Sequence, residues 1–234
     1  MLPVALLAGG LATRLRPATE TVPKALLPCA GRPFIHWQLE MMASHGVTDV
    51  VLCVGFLGAQ IRDYVGDGAE FGLRAHYSFD GDVPLGTGGA LRNALPLLGR
   101  EFFVLYGDSY LNCSFAEAQA CFQASGCLGL MTVFHNAGRL DRSNVRWKDA
   151  RLIEYDKRSP AADMQWVDYG LSALSAKALI EAPEAPVLDL SDVFFQLSTR
   201  SELAGMQVSE RFYEVGSWGG REATEHYLRG KAGV

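Results

Sequence analysis

The chain has 234 residues, of which 49% are hydrophobic and 20% charged, enough for one large α/β domain with a sizeable core and unlike a disordered or fibrous chain. A formal net charge of −5 without any basic tract gives no reason to expect nucleic acid or an anionic membrane as partner, so a phosphate site has to gather its few cations locally. No stretch approaches about 18 uninterrupted apolar residues, and Met1 to Gly10 lacks the basic start of a signal peptide, so neither a span nor a leader is expected.

Leu2 to Ala8 reads as a buried first strand stopped by Gly9-Gly10. Gly31-Arg32-Pro33 opens a helix, and Val47 to Val54 is a second buried strand, followed by a helix over Leu57 to Val65. Leu73 to Phe79 is predicted as strand, Gly89 to Leu98 as helix and Phe102 to Tyr106 as strand. Phe115 to Ala124 follows as helix and Leu128 to Phe134 as strand. Such alternation implies a mostly parallel sheet covered by helices on both faces. Beyond Asn136 the pattern changes to a hairpin around Lys148-Asp149-Ala150, then a strand from Trp166 to Leu174. Helices are expected over Ala176 to Glu181, Asp189 to Thr199 and Trp218 to Arg229. The economical reading is one domain over residues 1–234, with a smaller lobe from about Asn136 to Asp168.

The five cysteines form no C-x-x-C pair and read as reduced core residues of a cytoplasmic protein. The five histidines show no ligand spacing, and Trp147, Trp166 and Trp218 read as packing residues.

The chemistry concentrates in Leu7-Ala8-Gly9-Gly10-Leu11-Ala12-Thr13-Arg14-Leu15-Arg16-Pro17, completed by Pro23-Lys24. Two adjacent glycines let the backbone approach a ligand and aim N–H groups at phosphate oxygens. Arg14 offers a bidentate fork, and Lys24 a compact point charge. Neither G-x-G-x-x-G nor G-x-x-x-x-G-K-[ST] is present, which excludes a dinucleotide fingerprint and a P-loop.

This segment resembles the signature of the sugar-1-phosphate nucleotidyltransferases, approximately L-A-G-G-x-G-T-R-L-x-P-x-T…P-K. It departs at Ala12, where the family usually has glycine. The resemblance runs from Leu7 to about Leu228 and implies a Rossmann-like α/β fold of the nucleotide-diphospho-sugar transferase type. It implies a single catalytic domain with a sugar-facing lobe, working as monomer or homodimer in the supply of sugar nucleotides for cell-surface polysaccharide. Nucleotide contacts would come from Leu7, Ala8, Gly9, Gly10, Thr13, Arg14 and Lys24, and from a second glycine-rich turn, Pro84-Leu85-Gly86-Thr87-Gly88. That turn resembles the family's L-G-T-[AG]-G-A motif, and opening a helix it should offer free N–H groups.

Gly107-Asp108, at the end of an apolar strand, resembles the family's metal-binding Gly-Asp. Phe212-Tyr213-Glu214-Val215-Gly216-Ser217 resembles the late Asp-x-Gly-Thr motif, with Glu214 where aspartate is usual. Asp108 and Glu214 would therefore hold Mg²⁺, which favours one or two carboxylates plus phosphates. Tyr155-Asp156-Lys157 resembles the Glu-Lys-Pro segment, so Asp156 would accept sugar hydroxyls and Lys157 would pair with the sugar phosphate, as Asp108 would also help place it. Arg158 replaces the usual proline and could hold a further anionic group or sit on a solvated edge. Val167-Asp168-Tyr169-Gly170 resembles the strand in which glycine admits the sugar ring.

The implied reaction joins a nucleoside triphosphate to a sugar 1-phosphate, with Arg14, Lys24 and Asp108 as the catalytic set. Short enzymes of this kind include heptose-1-phosphate guanylyltransferases and N-acetylmuramate-1-phosphate uridylyltransferases. Leu85 to Ala90 and Gly107-Asp108-Ser109 look closer to the former, and Asp63 to Tyr77 closer to the latter. Two other readings stay open: a weakly active sugar-nucleotide-binding regulator, motivated by Glu214 and Ala12, and a phosphocholine cytidylyltransferase.

Overall fold

Val4–Leu7 (β1) has no polar side chain, and its residues alternate between two cores: Val4 and Leu6 face one side, Ala5 the other. Asp49–Val54 (β2) alternates in the same way, with Val50, Leu52 and Val54 opposite Val51 and Cys53. A strand buried on both faces needs apolar residues at every position, which is why these runs read continuously. The computed structural model describes residues 1–81, 83–136, 138 and 142–232.

The other strands of the main sheet are Arg74–Phe79 (β3), Glu101–Tyr106 (β4), Gly129–His135 (β5), Val145–Lys148 (β6), Arg151–Tyr155 (β7), Trp166–Ser175 (β8) and Leu203–Val208 (β9). Among the described residues these nine form one sheet with the path β7-β6-β8-β4-β1-β2-β3, β5 pairing with both β8 and β9. The quartet β3-β2-β1-β4 is parallel throughout. β8 then runs antiparallel to β4 and β5, while β9 lies parallel to β5. The helices are Phe34–Ser44 (α1), Gly58–Val65 (α2), Thr87–Leu98 (α3), Phe115–Ser125 (α4), Ala176–Ile180 (α5), Leu190–Thr199 (α6) and Trp218–Ala232 (α7). Residues of α1, α2, α4 and α7 pack on one face and those of α3, α5 and α6 on the other. The expected α/β sheet with helices on both sides is thus present, and the N-terminal elements fall where the pattern placed them.

β9 went unread. Ala204 and Gly205 weaken its strand signal, and glycine is required because a Cβ at 205 would lie 2.3 Å from the Trp147 ring. Trp147 in turn packs on Trp166, ring centroids 5.6 Å apart. Trp218, read as a packing residue, is instead 45% exposed at the start of α7, beneath the Arg221 guanidinium. The hairpin of β6 and β7 continues the sheet beyond β8 through a Trp166–Val145 pairing. All five cysteines are unpaired. No helix among the described residues is long and apolar enough to cross a membrane.

Candidate active site

Four parallel strands end at one cavity of about 330 Å³. Leu7, Cys53 and Tyr106 lie at the carboxyl ends of β1, β2 and β4, and Asp80 follows the last residue of β3; all four line it. This is the edge at which open α/β sheets bind ligands, and the crevice opens where the winding reverses between β1 and β4.

Ala8, Gly9 and Gly10 continue from β1 along the wall. Gly9 is held by its neighbours: a Cβ there would meet Gly55 N at 3.1 Å and the Asp80 carboxylate at 3.2 Å. Gly10 faces open space. Ala12, the departure from the family pattern, keeps the left-handed backbone that glycine would supply, with φ 47° and ψ 44°. Its carbonyl is pinned by the buried Thr19 hydroxyl at 2.9 Å and by Leu15 N–H at 3.0 Å. The left-handed turn is therefore held by hydrogen bonds at a local conformational cost.

The opposite wall is Gly107-Asp108. Gly107 donates its N–H to the Leu7 carbonyl at 2.9 Å, and a Cβ there would fall 2.5 Å from that oxygen, so glycine is needed for β4 to exit beside the loop. Lys24 lies on a short turn after Pro23 and reaches across to Asp108, Nζ to Oδ2 2.7 Å. Tyr213–Glu214 pairs antiparallel with Ser109–Tyr110, and Val215 donates its N–H to the Asp108 carbonyl at 2.9 Å. These bonds bring Glu214 beside Asp108, the pairing expected for a metal. An ideal Cβ on Gly216 would lie 3.3 Å from Asp108 Oδ2, and 3.6 Å from both Arg14 Nη2 and Glu214 Oε2. Glycine at 216 therefore leaves room where two carboxylates and a guanidinium converge.

Arg14 and Glu214 do not line the first cavity. They border a neighbouring one of about 360 Å³. Thr13 is exposed at the head of its turn and lines neither.

The second glycine-rich turn contributes Pro84, Gly86 and Thr87 to the first cavity, but Gly88 is not on its wall. The N–H groups of Gly88 and Gly89, expected to be free, both donate to the Leu188 carbonyl, at 2.9 and 3.1 Å. A Cβ at Gly86 would sit 2.4 Å from that same oxygen, and its φ is +77°. These glycines serve the close packing of α3 against the segment before α6. Thr87 joins the two helix starts: its hydroxyl donates to Asp189 at 3.3 Å and accepts from Leu190 N–H at 2.8 Å.

At the far end Lys157 lines the cavity. Asp156 does not; its Oδ1 accepts the Arg158 and Ser159 N–H groups, both at 2.8 Å, and so shapes the turn that presents Lys157. Arg158 reaches away to Asp192 at 2.5 Å in an exposed ion pair and does not line the cavity.

Asp168 precedes a bulge in β8, where Tyr169, Gly170 and Leu171 oppose the single residue Thr132. Gly170, at φ +109°, permits that bulge and donates its N–H to Asp168 Oδ1 at 3.0 Å. Its Cα faces Ser109 and Leu111 rather than the cavity, so its requirement is backbone conformation and not room for a sugar ring. Burial raises the Asp168 carboxyl to about 6 against the opposing pull of the Gly170 N–H and Lys157.

One cavity residue and one carboxylate bonded to the cavity residue Thr87 escaped the sequence. Asp80 lines the cavity with Oδ1 buried and without a hydrogen-bond partner among the described residues, and burial raises its pKa. Asp189 caps α6; burial alone would raise its pKa, but Ser191, Lys157 and Thr87 together hold it low. Neither belongs to a local motif, although an aspartate before an apolar helical run is itself a capping signal.

A glycine-rich loop, a lysine–carboxylate pair and a distal lysine around a crevice at the carboxyl edge of a parallel sheet define an α/β protein built to seat phosphorylated ligands. The Nucleotidyl transferase family model matches residues 4–141, and the chain belongs to that family. It is 40% identical over 124 residues to the N-acetylmuramate alpha-1-phosphate uridylyltransferase of Neisseria meningitidis serogroup B, covering 53% of this chain and 52% of that protein. It is 34% identical over 154 residues to the D-glycero-alpha-D-manno-heptose 1-phosphate guanylyltransferase of Campylobacter jejuni, covering 65% and 67%. The chain thus matches about half the length of the first relative and two thirds of the second. A Bacillus anthracis chain crystallised in complex with sucrose shares the fold at TM-score 0.84, with 20% identity over 98% of this chain and 96% of that one.

Proposed function

We propose that this protein transfers a nucleoside monophosphate from a nucleoside triphosphate to a sugar 1-phosphate, releasing pyrophosphate. The observation that carries this reading is the single cavity in which the Gly9-Gly10 loop, the Lys24–Asp108 pair and Lys157 face one another. An oxygen of the sugar phosphate attacks the α-phosphorus, the bond to the bridging oxygen breaks, and pyrophosphate leaves with the electron pair. The nucleophile is already anionic, so no general base is required, and the work is positioning and charge neutralisation. Lys24 holds the reacting phosphates, Arg14 the leaving group and Lys157 the acceptor.

Two adjacent carboxylates at a phosphate site suit a divalent cation of the Mg²⁺ type, which Asp108 and Glu214 would hold. Such an ion supplies neutralisation of triphosphate charge.

The favoured pair is GTP with a heptose or hexose 1-phosphate. Asp80 offers an acceptor-only carboxylate; guanine presents two adjacent N–H donors on its pairing edge, uracil one between two carbonyls. Around Lys157 stand Asp168 and Asp189, and Arg158 reaches away to Asp192. That surrounding suits hydroxyl donors and disfavours a sugar carrying its own carboxylate. The second reading, UTP with N-acetylmuramate 1-phosphate, is favoured by the similarity to the Neisseria protein. Mg²⁺-dependent pyrophosphate release across the four triphosphates, several sugar 1-phosphates and phosphocholine separates these readings. Release with UTP and the muramate substrate alone would overturn the favoured pair. Silence with retained nucleotide binding would replace the enzyme by a regulator.

A further inference from the structure

Among the buried residues of α1 one is polar. Phe34, Ile35, Leu39, Met41 and Met42 supply the apolar face that a helix packed on a sheet requires, and Gln38, wholly buried, stands among them. A carboxamide in that position opposes folding unless hydrogen bonds answer it. Its Nε2 donates twice, to the Tyr106 carbonyl at 3.0 Å and to the Ser109 carbonyl at 2.8 Å. Both N–H groups are used, and two carbonyl acceptors admit only the nitrogen end of the amide. The Oε1 is left buried and without a partner among the described residues. An apolar residue of similar shape would avoid that loss, so the contribution of Gln38 lies in the two bonds it does make.

Tyr106 and Ser109 flank the two-residue turn Gly107-Asp108 at the end of β4. One amide of α1 thus grips the chain on either side of Asp108. Met41, three residues further along the same face, accepts the Leu111 N–H on its Sδ at 3.4 Å. The buried face of α1 therefore holds the whole exit from β4, and Gln38 holds the part that carries the carboxylate.

We propose that Gln38 is a positioning residue for Asp108. Its two bonds fix the turn so that the Asp108 carboxylate stays 2.7 Å from Lys24 Nζ and beside Glu214. Gln38 lines neither cavity, so it acts through Asp108 and touches no ligand. Its effect on rate rests on the nucleotidyl-transfer reading; its grip on the turn does not. A misplacement of about 1 Å at such a group can cost on the order of 10²-fold.

The test uses the full chain with Gln38→Met, which keeps the length of the side chain and removes both donors, and Gln38→His, whose ring N–H can serve one carbonyl. Amide hydrogen exchange, followed without substrate or metal, should speed up on the order of 10-fold from Gly107 to Leu111 in Gln38→Met, as loss of a buried hydrogen bond does. Amides of α4 and α7 should stay within about twofold, and Gln38→His should fall between. In Mg²⁺-dependent pyrophosphate release, kcat should drop on the order of 10-fold while the KM for the triphosphate stays within about twofold. Placed in an Asp108→Asn chain, Gln38→Met should change the rate less than about twofold, because a residue acting through Asp108 then has nothing to position. Gln38→His carries the same comparisons if the methionine chain does not fold. Unchanged exchange at the turn overturns the proposal, as does an equal rise along the whole chain or the same loss of rate in the Asp108→Asn chain. A wild-type chain that releases no pyrophosphate, with exchange at the turn still rising in the variants, would refute the reaction and leave the clamp standing.

Discussion

Replacing Asp168 with asparagine should stabilise the protein at neutral pH and change it little at pH 4. The carboxyl stands beside the β8 bulge, and its Oδ1 accepts the Gly170 N–H at 3.0 Å. Burial outweighs that bond and the charge of Lys157, raising the pKa from 3.8 to about 6. A raised carboxyl binds its proton more tightly in the folded state than in the unfolded one. Its contribution to stability is fully present below pH 4 and is lost as the pH rises through 6. Roughly two pH units at 1.36 kcal/mol each make the charged form cost about 3 kcal/mol at pH 7 and above. Asparagine keeps the Oδ1 acceptor and carries no charge at any of these values. Urea unfolding followed from pH 4 to pH 8 should show the variant's advantage growing by up to about 3 kcal/mol, mostly between pH 4 and pH 6. For a chain of this size that corresponds to about 6–12 °C in Tm. A difference that stays constant across this range would refute the reasoning, because it would mean that Asp168 titrates alike in the folded and unfolded chain.

Asp108→Asn removes both the Lys24 ion pair and a carboxylate proposed to hold Mg²⁺, and should lower kcat on the order of 10²- to 10³-fold. Because that pair is partly exposed, the Tm should move little, which circular dichroism checks in the same samples. Glu214→Gln should lower the rate by about 10²-fold, whereas Glu214→Asp should cost about 10-fold. The backbone there is held by the Ser109 pairing and cannot advance to meet a shorter side chain. Pyrophosphate release titrated with Mg²⁺ distinguishes the two variants. Ala12→Gly should gain about 1 kcal/mol in urea unfolding by relieving a left-handed alanine, with activity maintained.

Much of the parallel half of the fold was legible because its signals are local. Val4–Leu7 and the stretch from Val50 to Val54 are buried on both faces and therefore apolar without interruption. The glycine-rich loop was legible for a related reason: Gly9, Gly10, Arg14 and Lys24 sit close together, and their chemistry survives being read as a string. The resemblance of Gly107-Asp108 and of the Glu214 segment to family motifs named both carboxylates, but only the pairing of Tyr213–Glu214 with Ser109–Tyr110 sets them side by side.

Other features had no local expression. Asp80 becomes a cavity residue because parallel register aligns the ends of β2 and β3, leaving its carboxylate between Gly9 and Gly55. The turn at Gly86 to Gly89 looked like an anion cradle, but the Leu188 carbonyl, which arrives from a distant segment, takes its N–H groups. By itself, then, the amino-acid sequence determined the alternating strands and helices of the parallel half, the glycine-rich loop and the family. The tertiary structure decided which polar groups remain available to a ligand, because a hydrogen-bonding group's freedom depends on what the rest of the chain brings against it.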